Sequence, residues 1–216
     1  MSLQSLSLQA ISLQTMLGLT GISLLLSVTL LRVLLFFKLK KQLSYFIAIL
    51  LFAISFVSFS GNTINFYFRG LFNDLSITSL ILLSYYFIQP ETDKKQTQPI
   101  FLLLVITGLF FYPTALGLGP VDPYAWGFIS KDHGITTPLI FLSLLAGLMY
   151  FALVKSYSIL LLSLVLATLC YHSGLLESRN IWDYLFDPLV FIYALTAIIS
   201  SLFSKKNNPF FQNQRL

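Results

Sequence analysis

Charge is scarce in this sequence. Only 10% of its 216 residues are Asp, Glu, Lys or Arg, against roughly 25% in an average soluble domain. Hydrophobic residues make up 56%, and mean hydropathy is +0.83. A soluble domain of this size leaves about a third of its unfolded surface in water, which so few polar groups cannot cover. Cysteine is scarcer still. Cys170 is the single one, so an intrachain disulfide is excluded, and its apolar neighbours mark it as a small buried hydrophobe. Residues 1–31 carry no charged side chain. A secretory signal peptide has basic residues before its apolar core; here the basic cluster follows. That order predicts a retained first helix with its N-terminus outside.

Catalytic and ligand-binding signatures are missing too. H-E-x-x-H, C-x-x-C, the P-loop, the nucleophile elbow and the dinucleotide fingerprint do not occur. No cofactor and no metal is expected. The net charge of +5 comes from basic residues scattered between apolar runs rather than gathered in a patch, so no nucleic-acid partner is expected either.

What is present is a series of apolar runs: Met16–Phe37, Leu43–Ser60, Leu71–Gln89, Ile100–Leu118, Ile135–Val154, Ser156–Tyr171 and Tyr184–Phe203. A helix needs about 20 apolar residues to cross a bilayer. The expected fold is all-α, a polytopic bundle of seven transmembrane helices. Its parts are a polar lead-in over 1–15, the bundle over 16–203 and a basic cytoplasmic tail over 204–216. The lead-in repeats Ser-Leu-Gln at positions 2, 7 and 12, a spacing that gives no helical stripe. Several runs are short, and the second or third is the one expected to be re-entrant.

Charge orients the bundle. Strict alternation places Lys38, Lys40, Lys41, Lys94, Lys95, Lys155, Lys205, Lys206 and Arg215 on one side. Only Arg69, Lys131 and Arg179 fall on the other, and Arg32 lies within a span. Basic residues stay cytoplasmic, so the N-terminus is outside and the C-terminus inside. The expected location is the bacterial cytoplasmic (inner) membrane, with periplasmic-facing loops. Six of the eight acids, Asp74, Asp122, Asp132, Glu177, Asp183 and Asp187, share the outer side. Local signals agree with helix starts at Asp187-Pro188 and Thr137-Pro138, as N-cap followed by proline. Pro90 and Pro99 are expected to stop one helix and start the next.

The residues with chemical reach gather in three outer loops. The Gly61–Gly70 loop holds Arg69. The Tyr112–Gly134 loop holds Asp122, Tyr124, Trp126 and His133 among turn-forming Gly and Pro, which predicts a folded cap. The His172–Pro188 loop holds His172, Glu177, Arg179, Asn180, Trp182, Asp183 and Asp187. His133, His172, Glu177 and Asp183 are the candidate catalytic groups, able to serve as general acid and base. Arg69, Asp122, Tyr124, Trp126, Arg179, Asn180, Trp182 and Asp187 are the candidate substrate-binding residues. Arginine can hold a phosphate bidentately; salt bridges to loop carboxylates are the favoured alternative for Arg69 and Arg179.

Three functions fit. The first is association, as an accessory subunit or lipid-contacting scaffold, with membrane lipid and a membrane-protein partner or homo-oligomer as partners. Ser143 and Gly147, with Ala146, allow close helix approach. The second is an outer-leaflet enzyme acting on a lipid or lipid-linked substrate. The third is a lipid or small-molecule facilitator using Ser76, Thr78 and Ser79 with Thr196, Ser200 and Ser201. Coupled transport is disfavoured because the spans lack midplane ionisable groups.

Overall fold

The structure, a computed structural model, describes residues 13–59, 61–90, 93–128 and 136–206. Asp132, His133 and the first two copies of the Ser-Leu-Gln repeat lie outside the described residues, while Leu13 and Gln14 of the third begin the first helix. Apart from one small hairpin, all the regular structure described is helical. Two helices are long and apolar enough to cross a membrane, Leu13–Phe36 and Lys94–Leu118, and five shorter apolar helices accompany them. The chain divides into two compact units. One comprises Met1–Asp74 with Gly174–Glu177, the other Leu75–Ser173 with Ser178–Leu216.

The first unit is built on α1 (Leu13–Phe36), which packs against α2 (Lys41–Ile54) and α3 (Ile64–Phe72). The buried face of α1 mixes small residues, Gly18, Gly21, Ser23 and Ser27, with Leu19, Ile22, Val28 and Leu31. The Ser23 and Ser27 hydroxyls donate to the carbonyls of Leu19 and Ser23 four residues earlier, at 2.9 and 2.7 Å. That satisfies them inside an apolar helix. Between α2 and α3 runs a two-residue hairpin, β1 (Ser58–Phe59) with β2 (Asn62–Thr63), in register Ser58 to Thr63. Gly61 at its turn has φ +94°, a conformation that glycine reaches without steric cost.

This hairpin is pinned to α1 by a buried polar network. Asn65 is fully buried, and its Nδ2 donates to Ser23 Oγ at 3.0 Å and to the Leu19 carbonyl at 3.4 Å. The Thr63 hydroxyl donates to Asn65 Oδ1. Ser55 Oγ stands 2.7 Å from both Ser23 Oγ and the Phe52 carbonyl, so its one proton serves either. Each buried polar group thus has a partner, without which burial would cost about 1–3 kcal/mol per group.

The second unit contains α4 (Ile77–Ile88), α5 (Lys94–Pro113), α6 (Thr136–Val154), α7 (Ser158–His172), the single turn α8 (Trp182–Leu185) and α9 (Pro188–Lys206). α5 packs on α7 and α9, α4 on α7, and α6 on α7. Ile100, Leu104, Leu160, Leu164, Ala167 and Ala194 are buried there. Gly108 lets α9 come close, since a Cβ at that position would lie 2.2 Å from the Phe191 ring.

The helix starts are partly as expected. Asp187 caps α9, its Oδ1 accepting from the Val190 N–H at 2.9 Å, with Pro188 the first helical residue. α6 begins at Thr136, one residue before Thr137-Pro138. Pro99 is a correction. It lies within α5, which starts at Lys94 under the Asp93 cap, where the carboxylate accepts the Lys95 N–H at 2.9 Å. Pro99 stands sixth in α5, so it removes the bond its N–H would make to the Lys95 carbonyl, and α5 nevertheless continues past it to Pro113. The third apolar run is a further correction. Leu71 and Phe72 end α3, Asn73 takes φ +62°, and α4 begins only at Ile77. At 1.5 Å per residue, the 12 residues of α4 reach about 18 Å and the 14 of α2 about 21 Å. Both fall short of the roughly 30 Å hydrocarbon core.

Candidate functional site

The folded cap of the second unit forms where residues 122–128 dock on residues 178–187. Asp122 opens it with a turn, its carboxylate accepting the Tyr124 N–H at 2.9 Å. Pro123–Gly127 then make one tight helical turn. Asn180, fully buried, reads that turn: its Nδ2 donates to the Tyr124 carbonyl at 2.8 Å, while its Oδ1 accepts the Trp182 N–H at 3.0 Å. The Trp182 indole N–H donates to the Pro123 carbonyl at 2.8 Å, and the Ile181 N–H to the Gly127 carbonyl at 3.1 Å. Gly127 cannot carry a side chain here, because a Cβ would lie 1.8 Å from Asn180 Oδ1.

Asp183 closes the cap. Its Oδ2 accepts from the Tyr124 phenol at 2.9 Å and from the Ser178 hydroxyl at 2.5 Å. Burial, reinforced by the bond to the Asp183 carboxylate, pushes the Tyr124 phenol up to about 12. Beneath lies an aromatic cluster. The Phe111 ring centroid is 5.0 Å from those of Trp182 and Phe186, 5.6 Å from Tyr112 and 6.1 Å from Tyr124, within the range where edge-to-face pairs attract. Asp187 anchors the base. Its Oδ2 accepts the Ser76 N–H at 2.8 Å and the Ser79 hydroxyl at 2.5 Å. One buried carboxylate therefore serves the starts of both α4 and α9.

Under this cap, an apolar cavity of about 200 Å³ opens among α5, α6 and α7. Trp126, Trp182, Phe111, Phe141 and Leu145 are among its walls, and Thr78, Thr107 and Ser163 supply its few hydroxyl-bearing residues. It is larger than the engineered cavity of about 150 Å³ that stays dry and binds benzene.

In the first unit the polar site is ionic. Arg69 grips Asp74 with two bonds, Nε to Oδ1 at 2.6 Å and Nη2 to Oδ2 at 2.9 Å. Nη2 also reaches Glu177 Oε1 at 2.8 Å. The Asp74 bond raises the Arg69 pKa, and Arg69 holds the Glu177 carboxyl below its usual range. The Gln14 amide donates to the Gly174 carbonyl at 3.0 Å, tying segment 174–177 to α1. Gly18 makes room, since a Cβ there would lie 2.1 Å from Asp74 Oδ1.

The candidates therefore separate. Tyr124, Asn180, Trp182, Asp183 and Asp187 lock the second unit, and Asp122 shapes its turn. Arg69 and Glu177 lock the first, as the salt-bridge alternative for Arg69 requires. Trp126 lines the cavity. His172 ends α7 exposed, Arg179 is exposed, and neither has a hydrogen bond or ion pair among the described residues. Ser76 and Ser79, expected in a polar groove, instead hold Asp187. The Thr196 and Ser201 hydroxyls donate to carbonyls of their own helix. No group of three or more metal-binding side chains occurs among the described residues. Ser178 was outside every sequence expectation; its signal was the Ser178-Arg179-Asn180 turn, where its hydroxyl accepts the Asn180 N–H at 3.0 Å. Asn65 was likewise unassigned, because nothing in the Gly61-Asn62-Thr63-Ile64-Asn65 stretch marks which polar side chain turns inward. Compared with known proteins, the chain matches no family model, no curated protein and no solved structure.

Proposed function

We propose that this protein is an integral membrane protein of a cytoplasmic membrane that acts by association, as an accessory subunit or lipid-contacting scaffold. In this reading its seven apolar helices are membrane-embedded, its N-terminus is outside, and the folded cap faces the extracytoplasmic side. Two helices of sufficient length and the asymmetric distribution of Lys and Arg support the topology. The short α2 and α4 then lie within the bilayer without crossing it alone.

The observation that carries the association reading is the open face of α6. Ser143, Ala146 and Gly147 are exposed, and nothing lies within 4 Å of where a Gly147 side chain would begin. Small residues on an uncovered membrane helix permit close approach of another helix. The titratable candidates favour this over catalysis, because Glu177 and Asp183 already serve as structural acceptors within their own units.

Purification in mild detergent should recover a stoichiometric membrane partner or a homo-oligomer, and Gly147→Leu should lose it while the protein level stays unchanged. A clean monomer with no partner, or a complex indifferent to Gly147→Leu, would overturn the reading. Full activity in cells of His172→Ala and Glu177→Ala variants is expected as well.

A further inference from the structure

The lining of the second unit carries a more specific reading. A second volume, a groove of about 520 Å³, runs along α5, α6 and α7. At one end stand Lys94, Lys95 and Gln98; beyond them the walls are apolar, with Leu102, Ile106 and Phe151. Leu103, Leu148 and Leu160 line both this groove and the cavity beneath the cap. The two volumes therefore adjoin across three leucine side chains. Cationic groups line the combined space only at its Lys94 end.

We infer that the groove holds one chain of an anionic phospholipid, with the phosphate at Lys94 and Lys95 and the chain end directed past Leu103, Leu148 and Leu160 toward the capped cavity. This deepens the association reading and rests on its claim that the helices are membrane-embedded.

Charge complementarity chooses the occupant. Both lysines are exposed, and no described carboxylate pairs with either. Asp93, the nearest described acid in sequence, is engaged in capping the Lys95 N–H. Basic residues at a membrane surface attract anionic lipid by about 1 kcal/mol each, which a zwitterionic headgroup forgoes. The apolar walls suit a hydrocarbon chain, and the dimensions agree. Lys94 to Leu104 is ten residues of helix, about 15 Å, which is half of a hydrocarbon core of about 30 Å. A chain starting at the lysines ends at the lower part of the cavity, since Leu104 lines it.

The protein carries its own reporter. Trp126 and Trp182 are its only two tryptophans, and both line the cavity. The full chain, solubilised in detergent, is titrated with phosphatidylglycerol brominated near the chain end, and tryptophan quenching is followed. Saturable quenching is expected with phosphatidylglycerol. The identically brominated phosphatidylcholine should need about thirtyfold more lipid for half-quenching, the product of two charges at about 1 kcal/mol each. Lys94→Gln/Lys95→Gln should remove that preference. Leu148→Phe, which thickens the partition, should reduce quenching while leaving co-purified phosphatidylglycerol, counted by native mass spectrometry, unchanged. Equal quenching by both lipids, or an unchanged preference in the double lysine variant, would overturn the site. Recovery of the protein in the aqueous phase without detergent would instead overturn the membrane reading itself.

Discussion

Each unit contains a largely buried carboxylate at the centre of a polar lock, and the two locks are built by opposite means. In the first, Asp74 meets a full positive charge, Arg69, and the side chains retain 11% and 15% of their exposure. In the second, Asp187 is 9% exposed and meets only neutral donors, two backbone N–H groups and one hydroxyl. Both carboxylates are largely out of water, at 11% and 9% exposure, so the difference lies in the donors: losing Arg69 leaves a charge unpaired, while losing Asp187 leaves three neutral donors unsatisfied. The second lock stands beneath the cap that covers the cavity.

Asp187→Ala sharpens that contrast most. It removes an N-cap, worth about 1 kcal/mol, and two more hydrogen bonds to a charged acceptor, each about 1.5–3 kcal/mol. A loss of about 3 kcal/mol or more is expected in denaturant unfolding in detergent. Asp187→Asn, which can still cap α9, should lose less. Equal stability of Asp187→Ala and the parent would dissolve the distinction between the locks.

Next is Gly127→Ala. A Cβ 1.8 Å from Asn180 Oδ1 forces the cap apart, at about 1–3 kcal/mol for overpacking. Gly147→Ala, with open space around it, is the matched control. It should be no less stable than the parent, since alanine in a helix interior is favoured over glycine by about 0.5–1 kcal/mol.

Tyr124→Phe should cost about 1 kcal/mol, one hydrogen bond, and its effect should depend on pH in a definite sense. The folded phenol titrates at about 12 against an ordinary 10.0. Its contribution is complete below the ordinary value and fades as pH rises through the folded one. The stability difference between parent and Tyr124→Phe should be flat at neutral pH and shrink toward the alkaline limit. A difference that grows there would contradict the Asp183 contact.

The smallest effect belongs to Glu177→Gln. Glu177 retains 54% exposure, so the lost pair is worth at most about 1 kcal/mol and less in high salt. Its carboxyl is held below the usual range by Arg69, so this stability is present above the ordinary carboxylate pKa. It disappears as pH falls through the lowered one. Stability curves of parent and variant should therefore converge in acid. Parallel curves would mean the Arg69–Glu177 contact contributes nothing.

Helix placement was legible in the sequence where apolar runs are long or where a cap is local. The Asp187-Pro188 start needed only adjacent residues to be read. The break at Asn73 was passed over, although Asn73-Asp74 interrupts the apolar run and asparagine is enriched at positive φ. Pro99 misled because a proline can sit inside a helix at the loss of one backbone bond. In the candidate site, the Tyr112–Gly134 loop was expected to be folded from its turn dipeptides and aromatics, and residues 122–128 of it dock on residues 178–187. Its partner loop was named residue by residue, but the contacts that its side chains make were not. Asp183 and Glu177 were read as reactive groups, and the side chains that occupy them, Ser178, Tyr124 and Arg69, reach them through folding rather than spacing.

By itself the sequence determined the apolar, helical character of this protein and the segments in which its basic residues and its polar chemistry are concentrated. These follow from composition and from the free energy of placing charge and backbone in hydrocarbon, which act residue by residue. The tertiary structure alone decided that Asp187 joins two helix starts and that Asn65 fastens a hairpin to α1. It alone decided that both tryptophans overlook one apolar cavity, next to a groove that begins at two lysines. Those arrangements depend on side chains from distant segments meeting within hydrogen-bond or van der Waals distance, which no local pattern encodes.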